Sequence, residues 1–206
     1  MARKVGSIGA ETADKVRHAA LSLFARHGYA AVSMRQIGRE IGLQAGAIYN
    51  HFPTKQHLLR GLMVEHMERL LAAWDAERDD NLPPREALIA FVRFHIRYHV
   101  QCGDEVFISY MELRNLEEEN FSEIEELRRR YEQSLRRILE AGSKANVFAV
   151  SDPRVATMAV IAMLTGVTAW YKPDGRLSLS QIEELYVGMI SGAVGMKENG
   201  PCLPPA

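Results

Sequence analysis

The chain has 206 residues, 47% of them hydrophobic and 25% charged, with a formal net charge of -1. That is enough apolar material for a packed core and too little charge for a disordered polymer. The near-zero total hides an uneven split: residues 1–60 carry nine Lys/Arg against three acids, a balance of +6, leaving -7 for the remainder. A basic head on an acidic body points to a polyanion at one end only.

Helical periodicity runs almost unbroken along the chain and strand patterns are nearly absent, which predicts an all-α protein of about nine helices. Gly, Pro and Asp punctuation places them in order at Thr12 to His27, Met34 to Ile41, Gln44 to His51, and from Pro53-Thr54 to about Glu77. Pro83-Pro84 opens the next, to Gln101, followed by Asp104 to Leu116, Phe121 to Ala141, Asp152 to Tyr171 and Ser180 to Gly195. Residues 1–10 and 197–206 read as flexible ends. Three starts carry capping patterns: Ser33 with Gln36, Asp152 before Pro153, and Ser180 with Glu183.

Other features narrow the class. Cys102 and Cys202 form no CxxC motif or disulfide framework, and no apolar stretch follows the basic N-terminus, so a reducing cytoplasm is the expected setting. The longest apolar run, Val155 to Trp170, contains Thr157, Thr165, Gly166 and Thr168 and is shorter than the ~20 residues of a membrane span. No GxSxG elbow, phosphate loop or Ser/His/Asp grouping suggests an enzyme, and no cofactor is called for. His95, His99 and Cys102 have metal-ligand spacing, but a structural zinc wants four protein ligands. The aromatic residues around them favour a pocket wall or ordinary core over a metal.

Residues 34–52 have the layout of a helix-turn-helix. Ile37, Ile41, Leu43, Ile48 and Phe52 supply the apolar contacts, Gly38 allows a close crossing, and Gly42 suits a turn with positive φ. The second short helix is otherwise small or polar, as suits an element pressed into a major groove. Phe24-Ala-Arg-His-Gly28-Tyr29, Ser33-Met34-Arg35-Gln36-Ile37, and Gly46 to Phe52 with Lys55 together resemble the DNA-binding domain of the TetR family, over roughly residues 12–60. The resemblance implies a helix-turn-helix domain at 1–60 and a ligand-binding and dimerisation domain at 61–206. It places Ser33, Arg35, Gln44, Ala45, Gly46, Ala47, Tyr49, Asn50, His51 and Lys55 on or near DNA. Tyr49, His51 and Lys55 would hold phosphates; Gln44, Ala47 and Asn50 are the candidates for reading bases.

The same resemblance implies a homodimer on double-stranded operator DNA, answering to a small-molecule effector. Phe91, Phe94, His95, Tyr98, Phe107, Tyr110, Met111 and Met163 are the candidate pocket residues, because aromatic rings and Met adapt to apolar ligands. The last two helices are apolar over more than half their circumference, and such helices must bury two sides. Val160, Leu164 and Val167 on one, and Ile182, Leu185, Met189 and Gly192 on the other, are the candidate subunit contacts. Asp152-Pro153-Arg154 and Thr168 to Ser178 are similar to the acyl-CoA-responsive branch of the family, which implies an acyl-CoA effector and a repressor of lipid degradation genes. Two alternatives stay open: a repressor of drug efflux that receives apolar cations on a carboxylate such as Glu112, and an architectural DNA-binding protein without an effector.

Overall fold

The computed structural model describes residues 5–197. Its elements are α1 (Val5–His27), α2 (Met34–Glu40), α3 (Ala45–Tyr49), α4 (Lys55–Glu77), α5 (Pro84–Gln101), α6 (Gly103–Met111), α7 (Glu118–Lys144), α8 (Pro153–Thr165) and α9 (Leu179–Ala193). Short 3-10 turns at Leu113–Asn115 and Gly166–Ala169 follow α6 and α8. Among the described residues there is no strand. Residues 5–11, which the sequence marks partly as a flexible end, extend α1, whereas Cys202 and the rest of the C-terminal tail lie outside the described residues.

Two caps form as their spacing predicts. The Ser33 hydroxyl accepts the Gln36 N–H at 3.3 Å while Gln36 Oε1 accepts the Ser33 N–H at 2.7 Å. Asp152 Oδ1 accepts the N–H groups of Arg154 and Val155 at 2.9 and 3.1 Å. The third expectation needs correcting. Ser178 and Gln181, not Ser180 and Glu183, make the box that starts α9. Both pairs satisfy the same S-x-x-[EQ] spacing, and burial decides between them: Glu183 is 8% exposed and turns toward Arg97, 3.7 Å away. The last apolar segment before the turn also divides, since α8 stops at Thr165 and tightens into 3-10 geometry.

The described residues form two compact units, one from residues 5–69 with 102–127 and one from 70–101 with 128–197. Residue 60, where the sequence suggests a division, lies inside α4. In the first unit α1 packs on α2 and α6, and α2 on α3. Its core centres on Val16, Ala20, Phe24, Ile37, Ile48, Leu58, Leu59 and Met63, each fully buried.

In the second unit α5 packs against α8 and α9. Trp74 meets Phe91 edge-on with ring centroids 5.0 Å apart, and Phe91 lies 5.4 Å from Tyr131. Within this apolar mass sits a polar stack. The His95 and His99 rings are parallel at 3.6 Å. His95 Nδ1 lies 3.1 Å from the Tyr131 hydroxyl, Nε2 lies 3.1 Å from Thr165 Oγ1, and His99 Nδ1 lies 2.9 Å from the His95 carbonyl. Both nitrogens of His95 therefore have a hydrogen-bond partner within the core.

Burial holds His95 well below the usual histidine range, helped by the neighbouring His99, and pushes His66 of the first unit down to about 4. Both are neutral when folded and protonatable when unfolded, so as pH falls below 6.5 the unfolded state takes up protons first. Each group then lowers stability by up to ~1.4 kcal/mol per pH unit until its folded pKa is reached. Urea unfolding at pH 7.5, 6.5, 5.5 and 5.0 should show a progressive loss below 6.5. A flat profile would mean that these rings bind protons without unfolding.

Candidate nucleic-acid interface and effector region

The helix-turn-helix is built on backbone proximity. The Leu43 N–H donates to the Gly38 carbonyl at 2.8 Å, and a Cβ on Gly38 would stand 2.5 Å from the Leu43 carbonyl oxygen. Any side chain there would push α2 and α3 apart. Gly42, at φ +69°, takes the left-handed turn between them. Ile37, Ile48 and Phe52 then face inward, at 0%, 0% and 5% exposure.

The opposite face is open. Ser33, Arg35, Gln44, Gly46, Tyr49 and Asn50 are exposed, while Ala45, Ala47 and His51 are half-buried. Among the described residues, the side chains of Arg35, Gln44 and Asn50 have no hydrogen bond or ion pair within the protein, so they keep their donors and acceptors for a partner. Tyr49 is 49% exposed. The helix is shorter than its pattern suggests: Gln44 is the N-cap and Asn50 the C-cap of a five-residue α3.

Lys55 has a different environment from the other nine. Its ammonium donates to the carbonyls of Tyr29 and Val32, both at 2.8 Å, and sits 4.0 Å from the centroid of the Tyr29 ring. Burial pulls its pKa down and the Glu112 carboxylate pushes it back up. The side chain that the family resemblance aims at a phosphate is thus engaged with the turn before α2.

Glu112 is also engaged. It is 6% exposed, and Oε1 accepts the Tyr29 N–H at 3.0 Å. The carboxylate on which the drug-cation alternative relied is therefore a structural acceptor. The internal roles of Glu112, Gln56 and the Arg60–Glu123 pair leave no local trace in the sequence, because the partners lie some 60 to 83 positions apart.

The candidate pocket residues are dispersed. Phe91, Phe94 and His95 are buried at 0–3% and Tyr98 is half-buried, all in the second unit. Tyr110 is half-buried on α6, where Phe107 and Met111 are 41% and 58% exposed. Met163 is exposed on α8. A cavity of about 370 Å³ lies elsewhere in the second unit, between α5 and α7, and none of the eight lines it. Trp74, Ala87, Ala90, Ile138 and Ala141 form its walls, and Arg137 is among its charged residues. Small alanines on facing helices leave the space.

The candidate subunit contacts divide cleanly. Val160, Leu164, Val167 and Ile182 are 0–2% exposed and fill the chain's own core, so they are not available to a second subunit. Leu185 and Met189 are 53% and 47% exposed, and Gly192 faces open space. The outward stripe of α8 is Val155, Met158 and Met163, at 55%, 50% and 37%. The sequence identifies two-sided helices; on α9 Leu185, Met189 and Gly192 face outward as expected, whereas Ile182, Val160, Leu164 and Val167 belong to the inward side.

A basic head with a glycine-dependent helix-turn-helix and unengaged polar side chains on its outer face defines a DNA-binding regulator on a helical body. The sequence model of the tetR family of bacterial regulatory proteins matches residues 16–62, and that of a tetracyclin repressor-like C-terminal domain matches residues 81–194. The chain belongs to the TetR family of transcriptional regulators. These are DNA-binding proteins rather than enzymes, and they grip operator DNA as homodimers under small-molecule effectors.

Among relatives, the HTH-type transcriptional repressor KstR2 of Mycolicibacterium smegmatis is 24% identical over 94% of this chain and 96% of its own length. A tetR-family regulatory protein from Rhodococcus RHA1 is 28% identical with a TM-score of 0.85, covering 90% of this chain and 98% of that one. AibR, in a crystal structure in complex with isovaleryl coenzyme A and operator DNA, is 26% identical with a TM-score of 0.79, covering 88% and 97%. Among the described residues no helix is long and apolar enough to cross a membrane.

Replacing Lys55 by Met tests its placement. Two carbonyls lose a charged donor, which should cost ~1–3 kcal/mol in urea unfolding. The slope of log affinity for DNA against log salt should stay as in wild type; a decrease of about 1 would identify Lys55 as a phosphate ligand after all.

Proposed function

We propose that this protein is a repressor released from its operator by an acyl-CoA thioester from lipid degradation. The observation that carries the reading is the likeness to AibR, seen with both isovaleryl coenzyme A and operator DNA, across most of both chains. The similarity to a repressor, KstR2, over 94% of the chain supports the direction of control. Ser33, Arg35, Gln44, Ala47, Tyr49, Asn50 and His51 serve as the operator-facing set.

The cavity between α5 and α7 is our candidate site for the acyl group. Each methylene buried there contributes ~0.8 kcal/mol. Arg93 and Arg97 are paired with Glu184 and Glu77, and Arg78, at the cavity, with Asp75 and Asp80, which leaves Arg137 as the better placed cation there for an anionic head. Ligand binding acts by favouring a subunit arrangement with lower affinity for DNA. Fluorescence anisotropy on a duplex selected by the wild-type protein from a random pool tests this. Acyl-CoA of some chain length should release the duplex, while the parent acid and free CoA should not. Release by apolar cations alone would favour the drug-efflux alternative.

The exposed stripes of α8 and α9 serve as the subunit contact in this reading, through Met158, Met163, Leu185, Met189 and Gly192. A Gly192→Arg substitution places a charge where two helices meet, and an unpaired buried charge costs several kcal/mol. Sedimentation should show a monomer that no longer binds the duplex, with helical content retained. A variant that sediments as wild type would remove Gly192 from the interface.

A further inference from the structure

We propose that Glu112 is a positioning residue for operator binding, holding the turn before α2 from a segment that lies outside the helix-turn-helix. Glu112 caps the end of α6, 83 positions from the group it binds. A buried carboxylate is costly unless its oxygens accept hydrogen bonds. Here Oε1 accepts the Tyr29 N–H at 3.0 Å and Oε2 accepts from Asn115 Nδ2 at 2.5 Å. Tyr29 is gripped on its other side by Lys55, which takes its carbonyl at 2.8 Å and covers its ring at 4.0 Å. The second carbonyl that Lys55 takes belongs to Val32, the residue before the α2 N-cap Ser33. Glu112 and Lys55 therefore fix both ends of residues 29–32, and with them the start of α2.

The same segment also holds the first turns of α4. Gln56 donates to the Asn115 carbonyl at 2.5 Å and accepts the Glu117 N–H at 3.3 Å. Arg60 meets Glu123 with two bonds, 2.5 and 2.6 Å long. Residues 112–123 thus act as a strap on the two elements that flank the DNA-reading helices. The DNA-binding module extends to this strap. A side chain that touches no DNA sets the placement of those that do.

The test uses full-length Glu112→Ala and Glu112→Gln proteins, a duplex selected by the wild type from a random pool, and the backbone amide spectrum. Glu112→Ala should weaken duplex binding about tenfold or more, the worth of a lost charge-assisted bond. Its salt slope should match wild type, since no phosphate contact is lost. The Tyr29 amide should lose its protection from exchange while the α2 and α3 amides keep their dispersion. Glu112→Gln keeps an acceptor oxygen and should restore both Tyr29 protection and binding to within about threefold. Wild-type binding by Glu112→Ala would overturn the proposal, as would equal losses in both variants or a melted α2–α3. If Glu112→Ala does not fold, Glu112→Gln decides alone: protection with near-wild-type binding supports the proposal, and near-wild-type binding without protection overturns it.

Discussion

Helices of seven and five residues, the lengths of α2 and α3, are far below the ~12–15 needed for an isolated helix to persist in water, so the DNA-reading element exists only through what it is packed against. Three contacts supply the support. Apolar burial of Ile37, Ile48 and Phe52 ties both helices to the core of α1 and α4. The missing side chain at Gly38 lets the Leu43 backbone close against α2. Charged groups on Glu112 and Lys55 then hold the turn that leads into α2. On the recognition surface, Arg35, Gln44 and Asn50 are left without internal hydrogen bonds or ion pairs. That separation of tasks, inward for support and outward for DNA, is the condition for rigid presentation to a groove.

The second unit solves a different problem. Its core is aromatic and aliphatic, yet it encloses two stacked histidines that are hydrogen-bonded to Tyr131, Thr165 and a backbone carbonyl. Satisfied donors and acceptors make this burial tolerable, and fixed directions make it specific. Around it, α8 and α9 turn one apolar face inward and leave another exposed. In the proposed reading a second subunit covers that exposed face.

Much of this was legible in the chain itself, for physical reasons. Helix number and order follow from period and punctuation, because a 3.6-residue repeat of apolar positions has few other meanings. The caps at Ser33 and Asp152 and the glycines at 38 and 42 are local effects, decided within a few residues, and the sequence contains everything they need. Where two local solutions competed, as at Ser178 and Ser180, spacing did not choose between them.

What only the tertiary structure decided depends on distance along the chain. That Val160, Leu164, Val167 and Ile182 face inward while Leu185 and Met189 face out depends on where α5 lies against α8 and α9. Aromatic and Met side chains look alike in sequence whether they fill a core or line a space, and here three alanines and a tryptophan, not the aromatic stripe, border the cavity. Glu112 and Glu123 lie far along the chain from Tyr29 and Arg60, and only the fold brings them onto Tyr29 and the first turns of α4. Local chemistry determined the DNA-reading element and its class. Long-range packing, whose energy depends on partners far away in the chain, decided which faces are buried and what holds that element in place.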